Sequence, residues 1–175
     1  MDGSNLIFVI LDGKTKISQF SNWEGYPAGV GATILNFLRN TDLEKFKKRL
    51  KSVRFATKKD QKEMTEFEEQ ILNEAKEAYF TIEQSNLFNL KYPLTRDLGG
   101  GILQALMDSK EKKPFIIDTS GFEEPGEWKY IINFDTNRFE VYYDTSNLLK
   151  SYPIGRLPSE KNFLKEMNKL EENLN

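Results

Sequence analysis

An unbroken apolar run, Leu6-Ile7-Phe8-Val9-Ile10-Leu11, stands near the start of the chain. Six apolar residues in a row, without alternation, predict a strand buried on both faces. Asp12-Gly13 then predicts a two-residue hairpin turn, because Gly tolerates positive φ and Asp is its commonest partner there. Residues 14–20 return as a more polar second strand. A loop follows over 21–31, Ser-Asn-Trp-Glu-Gly-Tyr-Pro-Ala-Gly-Val-Gly, and a helix runs from it to about residue 40, with Val30, Ile34, Phe37 and Leu38 on one face. Thr41-Asp42-Leu43-Glu44 matches a capping box, and Leu43, Phe46, Leu50 and Val53 form the stripe of the helix it starts. A third helix is expected over about 59–79, with Met64, Phe67 and Ile71 at helical spacing, so 42–80 reads as a helical hairpin insertion. Residues 81–96 read as turns.

A short helix over 98–107 opens on Gly99-Gly100-Gly101, and strands are expected at 115–118, 128–134 and 138–143. Pro153 and Pro158 break the chain before a last helix, 159–173, capped by Ser159. Strands that are neighbours in sequence and joined by tight turns argue for an α+β domain. Its mainly antiparallel sheet would have about five strands, in the order ββ…βββ, with helices on one face. Its 175 residues suit one domain.

Composition narrows the chemistry. The chain has no Cys and no His, which removes disulfides, thiol catalysis, the usual zinc sites and a histidine base. A net charge of -2 makes no general electrostatic case for nucleic acid or an anionic membrane, and six apolar residues are too few to span a bilayer. No catalytic residue, metal site or cofactor is expected. Direct nucleic-acid binding and membrane association are not expected either, and the expected address is the cytoplasm.

Four places carry candidate chemistry. The first is the 21–31 loop, where Trp23, Glu24, Gly25, Tyr26 and Gly29 combine aromatic rings with glycines ahead of a helix. Two roles fit it: a ligand- or partner-facing site where rings stack and backbone N–H groups meet an anion, or a structural loop with Gly25 at positive φ and the rings plugging the core. The second is Arg96-Asp97 before the three glycines, another potential phosphate contact or a capped helix start. The third is the basic run containing Lys47, Lys48, Arg49 and Lys51, a candidate partner surface or a solvated helix face. The fourth, Asp118, Glu123, Glu124 and Glu127, would be the seat of any carboxylate-and-metal enzymology but reads better as a solvated loop.

The first two segments also carry a resemblance. Ile17-Ser18-Gln19-Phe20, then Asn22-Trp23-Glu24-Gly25-Tyr26-Pro27, Gly29 and Gly31, resemble a family of small uncharacterised bacterial and phage proteins with a Trp-Asp-Gly-Tyr-Pro loop followed by Gly-x-Gly and a helix. Arg96-Asp97-Leu98-Gly99, Glu127-Trp128 with Tyr130-Ile131-Ile132, and Phe139-Glu140-Val141-Tyr142 resemble its later elements. The similarity covers about 5–40 and 95–144. Relatives usually begin Met-Gly-Thr-Arg-Gly, whereas this chain begins Met1-Asp2-Gly3-Ser4-Asn5. The family implies a phage or mobile-element context in a bacterial host cell. The functional expectation is therefore a non-enzymatic interaction protein. Its partner would be a host protein or nucleoprotein complex, and inhibition of a CRISPR-type defence complex is the concrete form. The alternatives are a binder of a small molecule or nucleotide signal at Trp23–Gly31, and a metal-dependent carboxylate enzyme.

Overall fold

The computed structural model describes residues 3–76, 79–119, 121, 126–144 and 146–174. Strands β1 (Asn5–Leu11) and β2 (Lys14–Ser21) form the expected hairpin. Asp12 and Gly13 adopt φ of 54° and 71°, the pair of left-handed angles that matches a tight turn to right-twisted strands. Their N–H groups donate to the two oxygens of Asp135, at 2.8 and 2.7 Å, so the turn of the closing hairpin holds the turn of the opening one. Helices α1 (Ala32–Asn40) and α2 (Leu43–Ser52), strand β3 (Arg54–Phe55), and helices α3 (Lys58–Ala75), α4 (Ile82–Lys91) and α5 (Ile102–Asp108) come next. The chain closes with β4 (Phe115–Ile116), β5 (Trp128–Asn133), β6 (Arg138–Tyr143), β7 (Asn147–Pro153) and α6 (Glu160–Glu172).

The fold is α+β, with a mixed, mostly antiparallel five-stranded sheet in the order β2-β1-β5-β6-β7. Ile7, Val9, Ile17, Tyr130, Ile132, Phe139 and Val141 share one face and are fully buried. They join Ile34, Leu35, Phe46, Leu50 and Leu103 from the helices in a single core. The opposite face carries Phe8, Ile10 and Ile131, which are only half-buried. The apolar run of β1 therefore has one fully covered face rather than two.

Three details differ from the sequence reading. First, β1 and β5 pair in parallel, because the intervening helices form a crossover that returns the chain in the same direction. Second, residues 115–118 do not join the main sheet. Phe115 and Ile116 pair in parallel with Arg54 and Phe55 as a separate ribbon, and the fifth strand is β7. Its Leu148-Leu149 pair hides the alternation, because the register slips opposite Val141 and Tyr142. Pro153 is tolerated as the last residue of this edge strand.

Third, the helical pair is α3 with α4, not α2 with α3. Helix α2 is welded to the body: Phe46 is fully buried, with its ring 4.8 Å from Phe37 and 6.0 Å from Phe134 in edge-on geometry. Its N-cap is Asp42, which accepts from the Lys45 N–H at 3.1 Å, in place of Thr41. The stretch read as turns contains α4, started by a Thr81–Gln84 capping box. The α3–α4 arm is held by the rings of Phe67, Phe88 and Tyr92, and Tyr92 meets Phe115 of the body at 6.0 Å.

The junction between β3 and α3 is an ion-pair cap. Asp60 accepts from both guanidinium nitrogens of Arg54, and from the Thr57 N–H and hydroxyl at 2.7 and 2.8 Å. The Arg54 bonds first, and the Thr57 bonds second, hold its carboxyl well below the usual carboxylate range. A depressed folded-state pKa adds stability that is complete above the unfolded value, about 4, and is lost as pH falls through the folded one. Protection of the start of α3 against amide exchange, measured relative to the intrinsic rate at each pH, is accordingly expected to be full at pH 5 and to fall below about pH 4. In Asp60→Asn that acid-dependent step should disappear. In the core, Phe46→Ala is expected to cost about 3–5 kcal/mol in a denaturant titration.

Candidate functional site

The polypeptide leaves β2 at Ser21 and must reach α1 across the end of the sheet. It does so through Glu24, whose φ is +45°, and a π-helical turn over Pro27–Gly31 that runs straight into α1. The positive angle belongs to Glu24, not to Gly25. Gly25 is needed for close approach: a Cβ there would overlap the Gly3 carbonyl oxygen and lie 2.8 Å from Asn5 Cβ. Gly29 meets the same limit against the Glu24 carbonyl oxygen. The Gly25 N–H donates to the Gly3 carbonyl at 2.7 Å, and the Val30 N–H to the Glu24 carbonyl at 2.8 Å. From beneath, the Tyr130 hydroxyl donates to the Gly25 carbonyl at 2.7 Å. The buried Asn5 amide donates to the carbonyls of Ser21 and Trp23, at 3.4 and 3.2 Å. Burial raises the Tyr130 phenol well above its ordinary value, so it remains a donor at any ordinary pH.

With the floor built this way, the rings are not needed as plugs. Trp23 is 73% exposed and Tyr26 39% exposed. Trp23 in particular stands in solvent beside a tightly fastened backbone and is open to contact. The loop segment faces the second candidate segment. Trp23, Glu24, Gly29 and Thr33 on one side, and Asp97 through Gly101 on the other, line an open hollow of about 250 Å³. Gly99 has φ +51°, its N–H donates to Asp97 Oδ1 at 3.1 Å, and its carbonyl accepts from the Gln19 amide at 3.3 Å. At Gly100 a Cβ would come within 2.9 Å of Thr33 Cγ2, so only glycine lets this turn close against α1. Two segments about seventy residues apart thus build one site.

The charge in this hollow is not what a phosphate needs. Its ionisable lining residues are Glu24 and Asp97, with no basic side chain. Arg96 lines a smaller neighbouring hollow with Gln19, Phe20 and Thr119. Helix α5 spans only seven residues, so its dipole is small. An exposed indole with two carboxylates suits a cation or a flat polar group better than an anion.

The basic run on α2 is divided among different contacts. Arg49 donates to the carbonyls of Leu106, Ser109 and Glu111, at 3.3, 2.8 and 2.9 Å, and so closes the C-terminal end of α5. Lys47 pairs with Glu44 at 2.9 Å and lies 5.4 Å from the centroid of the Phe134 ring. Lys51 is 4.0 Å from Asp12, and Lys48 is exposed. Of the carboxylate set, Asp118 accepts from the Ser18 hydroxyl at 3.0 Å and Glu127 from the Gly3 N–H at 3.3 Å; Glu123 and Glu124 lie outside the described residues. Among the described residues no group of three or more carboxylates is placed to hold a metal ion, and no helix is long and apolar enough to cross a membrane.

No family model, curated protein or solved structure matches this chain. The site rests on its own geometry. Thr33 is the lining residue that the sequence concealed, because a lone threonine in a first helical turn carries no distinguishing pattern.

The loop and its ring should separate cleanly by mutation. Gly25→Ala forces the Gly3–Gly25 contact apart and is expected to lower stability by about 1–3 kcal/mol. Trp23→Ala is expected to stay within about 0.5 kcal/mol of the parent in the same thermal melt. It should also abolish the red-edge tryptophan emission, since the other indole, Trp128, is buried.

Proposed function

We propose that this chain is a non-enzymatic recognition protein that holds a cationic or flat side chain of a partner protein in the hollow beside Trp23. The observation that carries this reading is the exposed Trp23 ring at the mouth of a hollow whose only charged lining groups are acidic. An indole face attracts a guanidinium or ammonium group by about 0.5–2 kcal/mol, more as the contact is desolvated, and nearby carboxylates add charge-assisted hydrogen bonds. The rigid loop floor supports binding as well, because little ordering entropy remains to be lost when a partner docks. The resemblance noted in the sequence adds a biological context, in which the partner belongs to a bacterial host and inhibition of a defence complex is the role.

Calorimetry with short capped peptides bearing Arg, Lys, Trp or Glu, alongside a nucleotide panel, tests the reading. Arg or Lys peptides are expected to bind, and Trp23→Ala to weaken them at least tenfold with the circular dichroism spectrum unchanged. A nucleotide that bound in a Trp23-dependent manner while basic peptides did not would replace this reading with the nucleotide-signal binder. Basic-peptide binding that ignored Trp23→Ala would remove the hollow from the function.

A further inference from the structure

Three hollows meet along one stretch of chain. The Trp23 hollow shares Asp97 with the small hollow that Arg96 lines, and that one shares Leu94 and Thr95 with a third, of about 180 Å³, between the α3–α4 arm and the body. Residues 92–99 thus border a groove of three adjoining hollows between the arm and Trp23, with Pro93, Arg96 and Asp97 exposed along it. Fully extended, eight residues reach about 25 Å; this segment turns, with the Thr95 N–H donating to the Tyr92 carbonyl, so an octapeptide is long enough to reach from one end to the other.

The arm end has a feature of its own. Tyr92 lines it and is 8% exposed, yet its hydroxyl has no hydrogen-bond partner among the described residues and is not among the fully buried unpaired atoms. The hydroxyl is therefore not sealed from solvent, and a ligand in the cleft can replace water as its hydrogen-bond partner. Burial first, then the negative field of Glu63 and Asp60, raises its pKa, so it stays protonated and available as donor and acceptor. The Tyr92 and Phe115 rings and Pro93 and Pro114 supply apolar wall.

The ionised groups along the groove follow an order. Glu63 and Glu111 stand at the arm end, Glu24 and Asp97 at the Trp23 end, and Arg96 between them. Lys91 also lines the arm end, with its ammonium 4.1 Å from the centroid of the Phe67 ring, and leaves that end one negative charge in excess. Strand addition is closed at this border. On the outer edge of β2 the Ser18 carbonyl accepts from the Thr119 N–H, and the Phe20 N–H donates to the Thr119 hydroxyl. A ligand here must lie in the groove and be read through its side chains.

We infer that the groove from Tyr92 to Trp23 binds an extended peptide segment of a partner protein, with a basic side chain at each end and a carbonyl or acidic group between them for Arg96. This inference rests on the proposed role of the Trp23 hollow and extends it to a second, independent anchor. Two anchors on one peptide act with an effective concentration that multiplies their affinities.

The test uses capped octapeptides of small residues with Arg at both ends, at one end only, or Glu at both ends, titrated by calorimetry into the intact chain. The doubly basic peptide should bind at least tenfold more tightly than either singly basic one, and the acidic one should not bind. The Glu63→Gln/Glu111→Gln double variant should bring the doubly basic peptide down to the level of a single anchor, and Tyr92→Phe should weaken it about threefold or more. In either variant a singly basic peptide should still depend on Trp23. Equal binding of singly and doubly basic peptides, or no effect of the arm-end variants, overturns the groove while leaving the Trp23 reading in place. If no basic peptide binds at all, both readings fall. An unchanged melting temperature in each variant separates lost binding from lost fold.

Discussion

The contact on which the site depends is the hydrogen bond from the Tyr130 phenol to the Gly25 carbonyl, 2.7 Å long and buried. It ties the loop to the central strand β5, at the level where the helical layer meets the sheet. Tyr130 is fully buried, so neither partner of this bond has water as an alternative, and breaking it would strand two polar groups in the core. Gly31 brings the next turn of the same loop within van der Waals reach of the same ring: a Cβ there would lie 3.1 Å from the Tyr130 hydroxyl and ring edge. One tyrosine therefore sets both the height of the loop and the start of α1.

From that anchor the division of labour in the loop follows. Its backbone is fastened by Gly3, Asn5 and Tyr130, and its tight approaches are made by Gly25 and Gly29. Trp23 is left largely in solvent, while Tyr26 is more than half covered. A side chain released from structural duty on a rigid support is well placed for recognition, because its orientation is set by the scaffold while its surface remains free. The same economy is visible in reverse on α2, where Arg49 looks like part of a cationic surface but spends its guanidinium on three carbonyls at the end of α5.

The arm fits the same logic. Helix α4 buries none of its residues, and Ile82 and Leu90 are 82% and 79% exposed. Its attachment comes from aromatic rings that run from Phe67 through Tyr92 to Phe115. An element held by a few rings has low local stability against opening, and the same rings border the arm end of the groove.

Local chemistry decided the parts of this protein whose partners lie close in sequence. The Asp12-Gly13 turn, the alternation of β5 and β6, the helices over α1 and α6 and the Ser159 cap were legible because each follows from neighbouring residues alone. Helix α4 reads as turns because its exposed leucines give no stripe, and its Thr81–Gln84 capping box is passed over. What the tertiary structure decided is everything that joins distant segments. These are the parallel pairing of β1 with β5, the exchange of residues 115–118 for β7, and the meeting of Trp23 with Asp97–Gly101. Periodicity reports which face of an element is apolar and is silent about which other element covers it. That pairing depends on the total burial available to the whole chain. Trp23 shows the limit most clearly: an indole in a glycine-rich loop reads the same whether it plugs a core or stands in solvent, and only the folded chain, which leaves it 73% exposed, tells the two apart.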